Sequence, residues 1–112
     1  MKVVNRIKKS NDFSVVINKG VYHRLPSFKV FILKTNNNYA RVGISVSKKL
    51  GSAVMRNRAK RQTRAMCDEV INYKDFSYDV VIILKNTFLE KSFDDNKSQL
   101  SDFIKTQVGQ KQ

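Results

Sequence analysis

Ser47-Lys48-Lys49-Leu50-Gly51-Ser52-Ala53-Val54-Met55-Arg56-Asn57-Arg58-Ala59-Lys60-Arg61-Gln62-Thr63-Arg64 is the stretch on which the reading of this chain turns. It predicts a short basic loop with a glycine turn and then, at once, a helix capped by Ser52 and running to about Tyr73. On a wheel of roughly 100° per residue, Met55, Ala59, Met66, Val70 and Tyr73 fall within about 60° and form a face to set against a sheet. Arg56, Asn57, Lys60, Arg61 and Arg64 span about 140° on the opposite side, and Arg58 projects from a flank.

No acid interrupts this block. Arg56, Lys60 and Arg64 stack like charges at i,i+4 along one ridge, and each such pair costs a few tenths of a kcal/mol. A helix that served only structure would intersperse Glu there. The ridge is continued by Lys48 and Lys49 and sits at a helix N-terminus, whose exposed amides favour phosphate. Arginine grips phosphate oxygens bidentately, and Asn57 offers a donor and an acceptor to base or sugar edges. The bland alternative is a solvated charged face. The single sign and the flanking lysines argue instead for a polyanion, and for RNA in particular.

The whole chain shares this bias. It has 112 residues and a formal net charge of +13. Residues 1–67 carry 16 Lys/Arg against one acid, Asp12, while residues 68–112 carry 6 against 8. The basic surface therefore belongs to the first two thirds. The length fits one domain, 1–112, with residues 1–9 as a basic flexible arm and 109–112 as a frayed tail. The lone Cys67 excludes an intrachain disulfide, suits a reducing cytoplasmic setting, and reads as a small buried residue. No apolar run approaches the ~20 residues of a membrane span.

The remaining elements follow from periodicity. Ser10 is expected to cap a first helix with Asp12 in its first turn, Phe13, Val16 and Ile17 on one face, and Gly20 as its stop. Val21–Leu25 reads as a short extended piece ending near Pro26. Phe28–Leu33 alternates as a strand, with Phe28, Val30 and Ile32 facing one way and Lys29, Phe31 and Leu33 the other. Asn36-Asn37-Asn38 tolerates positive φ and predicts a hairpin turn into a second strand, Tyr39–Val46, whose core face is Ala40, Val42, Ile44 and Val46. Tyr78–Leu84 is a nearly continuous apolar run that fits a strand covered on both faces. Asp94 or Asp95 is expected to cap a last helix with Leu100, Phe103, Ile104 and Val108 on one side. The fold class is α+β, a single-domain α-β-β-β-α-β-α sandwich with one sheet.

A second surface is ambiguous from the residues alone. Phe13 and Phe31 either pack the first helix onto the sheet or line a groove above it. Gly43 and Ser45 would leave room there, and Lys29 and Arg41 flank it. An aromatic-lined groove with basic edges suits single-stranded nucleic acid, because bases stack and phosphates pair. No catalytic set is apparent: the one histidine, His23, stands outside any ligand cluster, the acids Asp68, Glu69, Asp75 and Asp79 are scattered, and no protein metal site is expected.

Arg41-Val42-Gly43-Ile44-Ser45-Val46-Ser47-Lys48-Lys49, Gly51, Ala53-Val54, Arg56-Asn57-Arg58, Lys60-Arg61 and Arg64 resemble the signature segment of the bacterial ribonuclease P protein subunit. Asn5-Arg6-Ile7-Lys8-Lys9, Asp12-Phe13 and Gly20 fit that family as well. The resemblance implies a ribosomal protein S5 domain 2-like fold with a left-handed βαβ crossover. It implies an endonuclease that removes the 5′ leader of precursor tRNA, in which the RNA subunit is the catalyst and holds the Mg²⁺ ions together with the substrate. Carried over by residue, Lys48, Lys49, Arg56, Asn57, Arg58, Lys60, Arg61 and Arg64 would contact the RNA subunit. Phe13, Ile17, Lys29, Phe31 and Arg41 would line the cleft for the leader, with Ile17 standing where relatives often carry an aromatic ring. The expected partners are the RNA subunit and precursor tRNA, with no membrane and no small-molecule substrate.

Three rivals share parts of this composition. A non-catalytic RNA-binding module, such as a ribosomal or RNA-assembly protein, would look the same outside the Arg41–Arg64 block. A major-groove DNA reader is disfavoured because no helix-turn-helix precedes the arginine helix. A protein nuclease using scattered aspartates with Mg²⁺ lacks a carboxylate cluster.

Overall fold

The computed structural model describes residues 1–109, with side-chain surroundings through Gln107. In chain order it contains α1 (Ser10–Lys19), β1 (Val21–Arg24), β2 (Phe28–Lys34), β3 (Arg41–Val46), α2 (Ala53–Val70), β4 (Tyr78–Leu84) and α3 (Phe93–Gly109). Short 3-10 turns stand at Val3–Asn5, Lys48–Leu50 and Asn86–Glu90. This is the α-β-β-β-α-β-α order read from periodicity. Gly109, the first residue of the expected frayed tail, still belongs to α3. The side chain of Val108 and residues 110–112 lie outside the described residues.

The four strands form one sheet in the order β1-β2-β4-β3. The apolar run of β4 dictates this order. Val80, Ile82 and Leu84 are buried on one face and Val81 on the other, so the strand needs cover on both sides and takes the interior of the sheet. It pairs antiparallel with β2 and parallel with β3. The expected β2–β3 hairpin is therefore absent, because β4 lies between the two strands. Asn36, Asn37 and Asn38 belong to a link passing the end of β4, and no non-glycine residue described has positive φ. The link is held by the amides of Thr35 and Ala40, which donate to the carbonyls of Ser77 and Tyr73 at 3.0 and 2.8 Å.

The two faces of the sheet are unequal. The larger core joins Phe28, Val30, Ile32, Val42, Val80, Ile82 and Leu84 to Ala59, Met66 and Cys67 of α2 and Leu100, Phe103 and Ile104 of α3. The smaller joins Ile7, Val16 and Val81, with Phe13, Phe31, Leu33 and Ile83 packed around them beneath α1. α1 lies over β2 and β4, while Tyr22 and Arg24 of β1 stay exposed.

Several local expectations are corrected. Residues 1–9 are not a loose arm. The buried Asn5 amide donates to the Ala40 carbonyl at 2.8 Å, the Ile7 amide donates to the Val42 carbonyl at 3.0 Å, and Arg6 bridges Val42 in parallel. This covers the otherwise open edge of β3. Ser10 is the first helical residue rather than the cap, which is Lys9 without a side-chain bond. Ser92, not Asp94 or Asp95, caps α3: its Oγ accepts from the Asp95 amide at 3.1 Å, and both acids sit in the first turn. α2 ends at Val70, three residues short of Tyr73, and Ile71 turns into the core. Its buried face is Ala59, Thr63, Met66 and Cys67, whereas Met55 is 44% exposed. Thr63 escapes a purely apolar reading because its hydroxyl donates back to the Ala59 carbonyl at 2.8 Å, which satisfies it inside the core.

Candidate nucleic-acid interface

The loop before α2 is built to present cations. Ser47 accepts the Lys49 amide on its Oγ at 3.2 Å, and buried Leu50 pins the turn beneath. Gly51 then adopts φ 142°, a conformation open to glycine alone at little strain. Ser52 caps α2 as expected, its Oγ accepting from the Met55 amide at 3.3 Å. Lys48 and Lys49 are left exposed beside the first turn of the helix.

Along α2, Asn57, Arg58 and Arg61 are exposed, and Arg56, Lys60 and Arg64 are half-buried. Arg56 has a structural task, since its Nη1 donates to the Gly51 carbonyl at 2.8 Å and ties helix to loop. Among the described residues, the ion pairs join the Met1 amine to Asp68, Arg41 to Asp12 and Asp79, and Lys97 to Glu69. None involves Lys48, Lys49 or the cations of α2. The ridge is thus an uncompensated positive surface, which an RNA backbone would neutralise with release of counterions.

On the opposite side of the sheet, the tip of the Phe13 ring abuts Gly43. A Cβ built at Gly43 would stand 2.6 Å from Phe13 Cζ and 2.8 Å from Cε1. The small residue is thus the seat of the ring rather than empty room above the strand. Phe13 and Phe31 pack against the small core beneath α1 and are half-buried there. Ile17 is 37% exposed and Lys29 is exposed. Phe31 also meets a ring not singled out from sequence, Tyr22 of β1, at 5.1 Å between centroids. The signal that would have found it is register, since Tyr22 pairs directly with Phe31.

Arg41 departs from the expectation of a free cation at the groove. Its Nε and Nη2 donate to the two carboxylate oxygens of Asp79 at 3.0 and 2.6 Å, and Asp12 stands 3.6 Å from Nη1. The hydrogen bonds it donates to Asp79 hold the guanidinium pKa above its usual value, against the opposing effect of burial. Asp79, counted among the scattered acids, is buried for this pairing. Arg41 thus joins α1, β3 and β4 and is the least available cation of the candidate cleft.

The two candidate surfaces approach one another. A cavity of about 280 Å³ is lined by Arg6, Ile7, Lys8, Phe13, Val42, Ile44 and Arg64. Arg64 of the cationic helix and Phe13 of the cleft therefore border one space, with Lys8 of the docked N-terminal segment beside them. A larger cavity of about 520 Å³ lies at the far end of α2, around Tyr39, Asp68, Asn72 and Tyr73. Asp68 is satisfied there by the Met1 amine at 2.9 Å and by the Tyr73 hydroxyl, which donates at 2.8 Å. Burial and that bond push the Tyr73 pKa up. Cys67 is fully buried, and burial pushes its thiol pKa up to about 12, far from the range of a nucleophile. Among the described residues no group of three or more His, Cys, Asp or Glu is placed to hold a metal ion.

Sequence and structure comparisons agree on one family. The ribonuclease P family model matches residues 1–107. The ribonuclease P protein component of Mesoplasma florum is 43% identical over 105 residues, covering 93% of this chain and 96% of its own. That of Bacillus cereus is 39% identical over 106 residues, covering 94% and 92%. Among solved structures, the RNase P protein of Staphylococcus aureus superposes with a TM-score of 0.79 at 30% identity, over 91% of this chain and 94% of its own. The Thermotoga maritima protein gives 0.77 at 27% identity, over 90% and 96%.

Proposed function

This chain belongs to the ribonuclease P protein family, and from that premise we propose that it binds the catalytic RNA subunit through α2 and its preceding loop while holding the 5′ leader of precursor tRNA on the α1 side of the sheet. As a ribonuclease P protein component it is part of a ribonucleoprotein endoribonuclease that processes tRNA. The observation that carries the finer reading is the uncompensated ridge of Lys48, Lys49, Arg58, Lys60, Arg61 and Arg64, which borders the Phe13 cavity through Arg64.

In this proposal the protein supplies electrostatics and positioning. The α2 ridge neutralises phosphate repulsion where two RNAs meet. Phe13, Ile17 and Phe31 give the leader an apolar floor for its bases, and Lys29 pairs a phosphate. Contacts to a segment present in precursor and absent from product favour binding of the former. The Mg²⁺ ions are assigned to the RNA subunit and substrate, and bond cleavage to the RNA; among the described residues no group of three or more His, Cys, Asp or Glu is placed to hold a metal ion. The protein alone is non-catalytic. Its proposed place is the cytoplasm, where bacterial tRNA is processed. Among the described residues no helix is long and apolar enough to cross a membrane.

Phe31→Ala tests the leader assignment. The expected result is weaker binding of precursor tRNA by the reconstituted holoenzyme and an unchanged affinity for mature tRNA. Equal losses for both RNAs would reassign Phe31 to packing alone.

A further inference from the structure

The β1–β2 ladder carries a feature that neither the helix ridge nor the α1 cleft uses. Its register pairs Tyr22 with Phe31 and Arg24 with Lys29. Residues two apart on a strand share a face, so these four side chains form one block on the α1 side. His23 confirms the orientation from the other side, packing edge-on against Phe103 of α3 at 4.9 Å. α1 lies mainly over β2 and β4, and the β1 half of the block faces solvent. Tyr22 is 46% exposed, and Arg24 and Lys29 are both exposed.

Two physical costs are visible in this block. A large aromatic ring stands half in water at a sheet edge, supported on one side by the Phe31 ring tilted 37° to it. Two cations also stand directly opposite one another across the ladder, an arrangement that destabilises a sheet. Among the described residues neither Arg24 nor Lys29 has an ion-pair or hydrogen-bond partner from its side chain. A ligand that brings a π face and a negative charge a few ångströms apart would relieve both, and a nucleotide of single-stranded RNA is such a ligand.

We propose that Tyr22 and Arg24, with Phe31 and Lys29, form a further station for single-stranded RNA that carries the leader track past the end of α1 onto the edge hairpin. A base stacks on the Tyr22–Phe31 pair, and the adjoining phosphate is held between Arg24 and Lys29. The two pairs are separated by two residues of strand, roughly 7 Å, the scale of a base and its neighbouring phosphate. Tyr22 thereby supplies an exposed ring on the side of the cleft where Ile17 offers none. This inference rests on the leader reading above and adds to it two residues and a longer footprint.

The test measures the affinity of the holoenzyme, assembled from the full chain and a bacterial ribonuclease P RNA, for precursor tRNAs with a long and a short leader. Tyr22→Ala should reduce the preference for the long leader by about tenfold, the size of one lost base stack. Tyr22→Phe should keep that preference, because the ring remains. Arg24→Ala should lower the salt dependence of long-leader binding by somewhat under one unit, the value for one phosphate on a single strand. If Tyr22→Ala leaves the long-to-short ratio unchanged while Phe31→Ala lowers it, the hairpin station is wrong and the leader cleft survives. If the unaltered protein itself makes no distinction between long and short leaders, the leader reading fails as well.

Discussion

Replacing Gly43 by alanine probes the geometry on which the candidate cleft depends. The new Cβ would lie 2.6, 2.8 and 3.1 Å from Phe13 Cζ, Cε1 and Cε2. Ordinary carbon contacts begin near 3.5 Å, so the ring has to withdraw by about 1 Å. Phe13 is half-buried on a two-turn-plus helix, so it yields by lifting α1 rather than by splitting the sheet. Overpacking of this kind costs about 1–3 kcal/mol, and the open side of the ring favours the lower half of that range. The melting midpoint should fall by roughly 3–8 °C for a domain of this size. Precursor affinity should fall with it, since the ring leaves its seat. A double-mutant cycle isolates the cause. In a Phe13→Leu background the same glycine change should be nearly neutral, giving a coupling of about 1 kcal/mol between the two sites. If Gly43→Ala destabilises equally with leucine at position 13, strain in β3 and not the ring contact limits that site, and the seating of Phe13 is refuted.

Other perturbations separate structural from binding roles. Asp79→Ala strips Arg41 of its bidentate partner. Breaking a buried pair costs about 3–5 kcal/mol, and since Arg41 keeps some solvent and Asp12, a loss near 2 kcal/mol is expected from urea unfolding; an unchanged midpoint would remove Arg41 from the scaffold. The Cys67 thiol stays protonated in the fold up to about pH 12 against an ordinary 9.0, so the folded state binds the extra proton between those values. Its contribution is complete below pH 9 and is lost as the pH rises toward 12. The stability difference between the unaltered protein and Cys67→Ala should therefore shrink over that window, and parallel curves would contradict it. Arg61→Ala combined with Arg64→Ala should weaken association with the RNA subunit and lower its salt slope by roughly 1–2 units; an unchanged slope would place the RNA elsewhere.

Sequence alone goes far where one local rule dominates. The Ser52 cap, the single-signed ridge of α2 and the two-sided apolar run of β4 each speak through neighbouring residues, and the element order follows from them. It fails where partners are distant. Asn36–Asn38 has the composition of a hairpin turn, but the burial demand of β4 outweighs it and separates β2 from β3. Residues 1–9 look like a charged arm until the open edge of β3 is seen to need covering, which Asn5, Arg6 and Ile7 do. Arg41 reads as a free cation because its acceptor, Asp79, is 38 residues away. Tyr22 is silent until register sets it against Phe31.

Cleavage of precursor tRNA by a bacterial ribonuclease P RNA at low millimolar Mg²⁺, with and without this chain, tests the central claim most directly. The chain should cut nothing alone and switch on cleavage at the mature 5′ end when the RNA is present. Tight RNA binding with no effect on cleavage would contradict it, leaving a basic RNA-binding protein without a leader cleft.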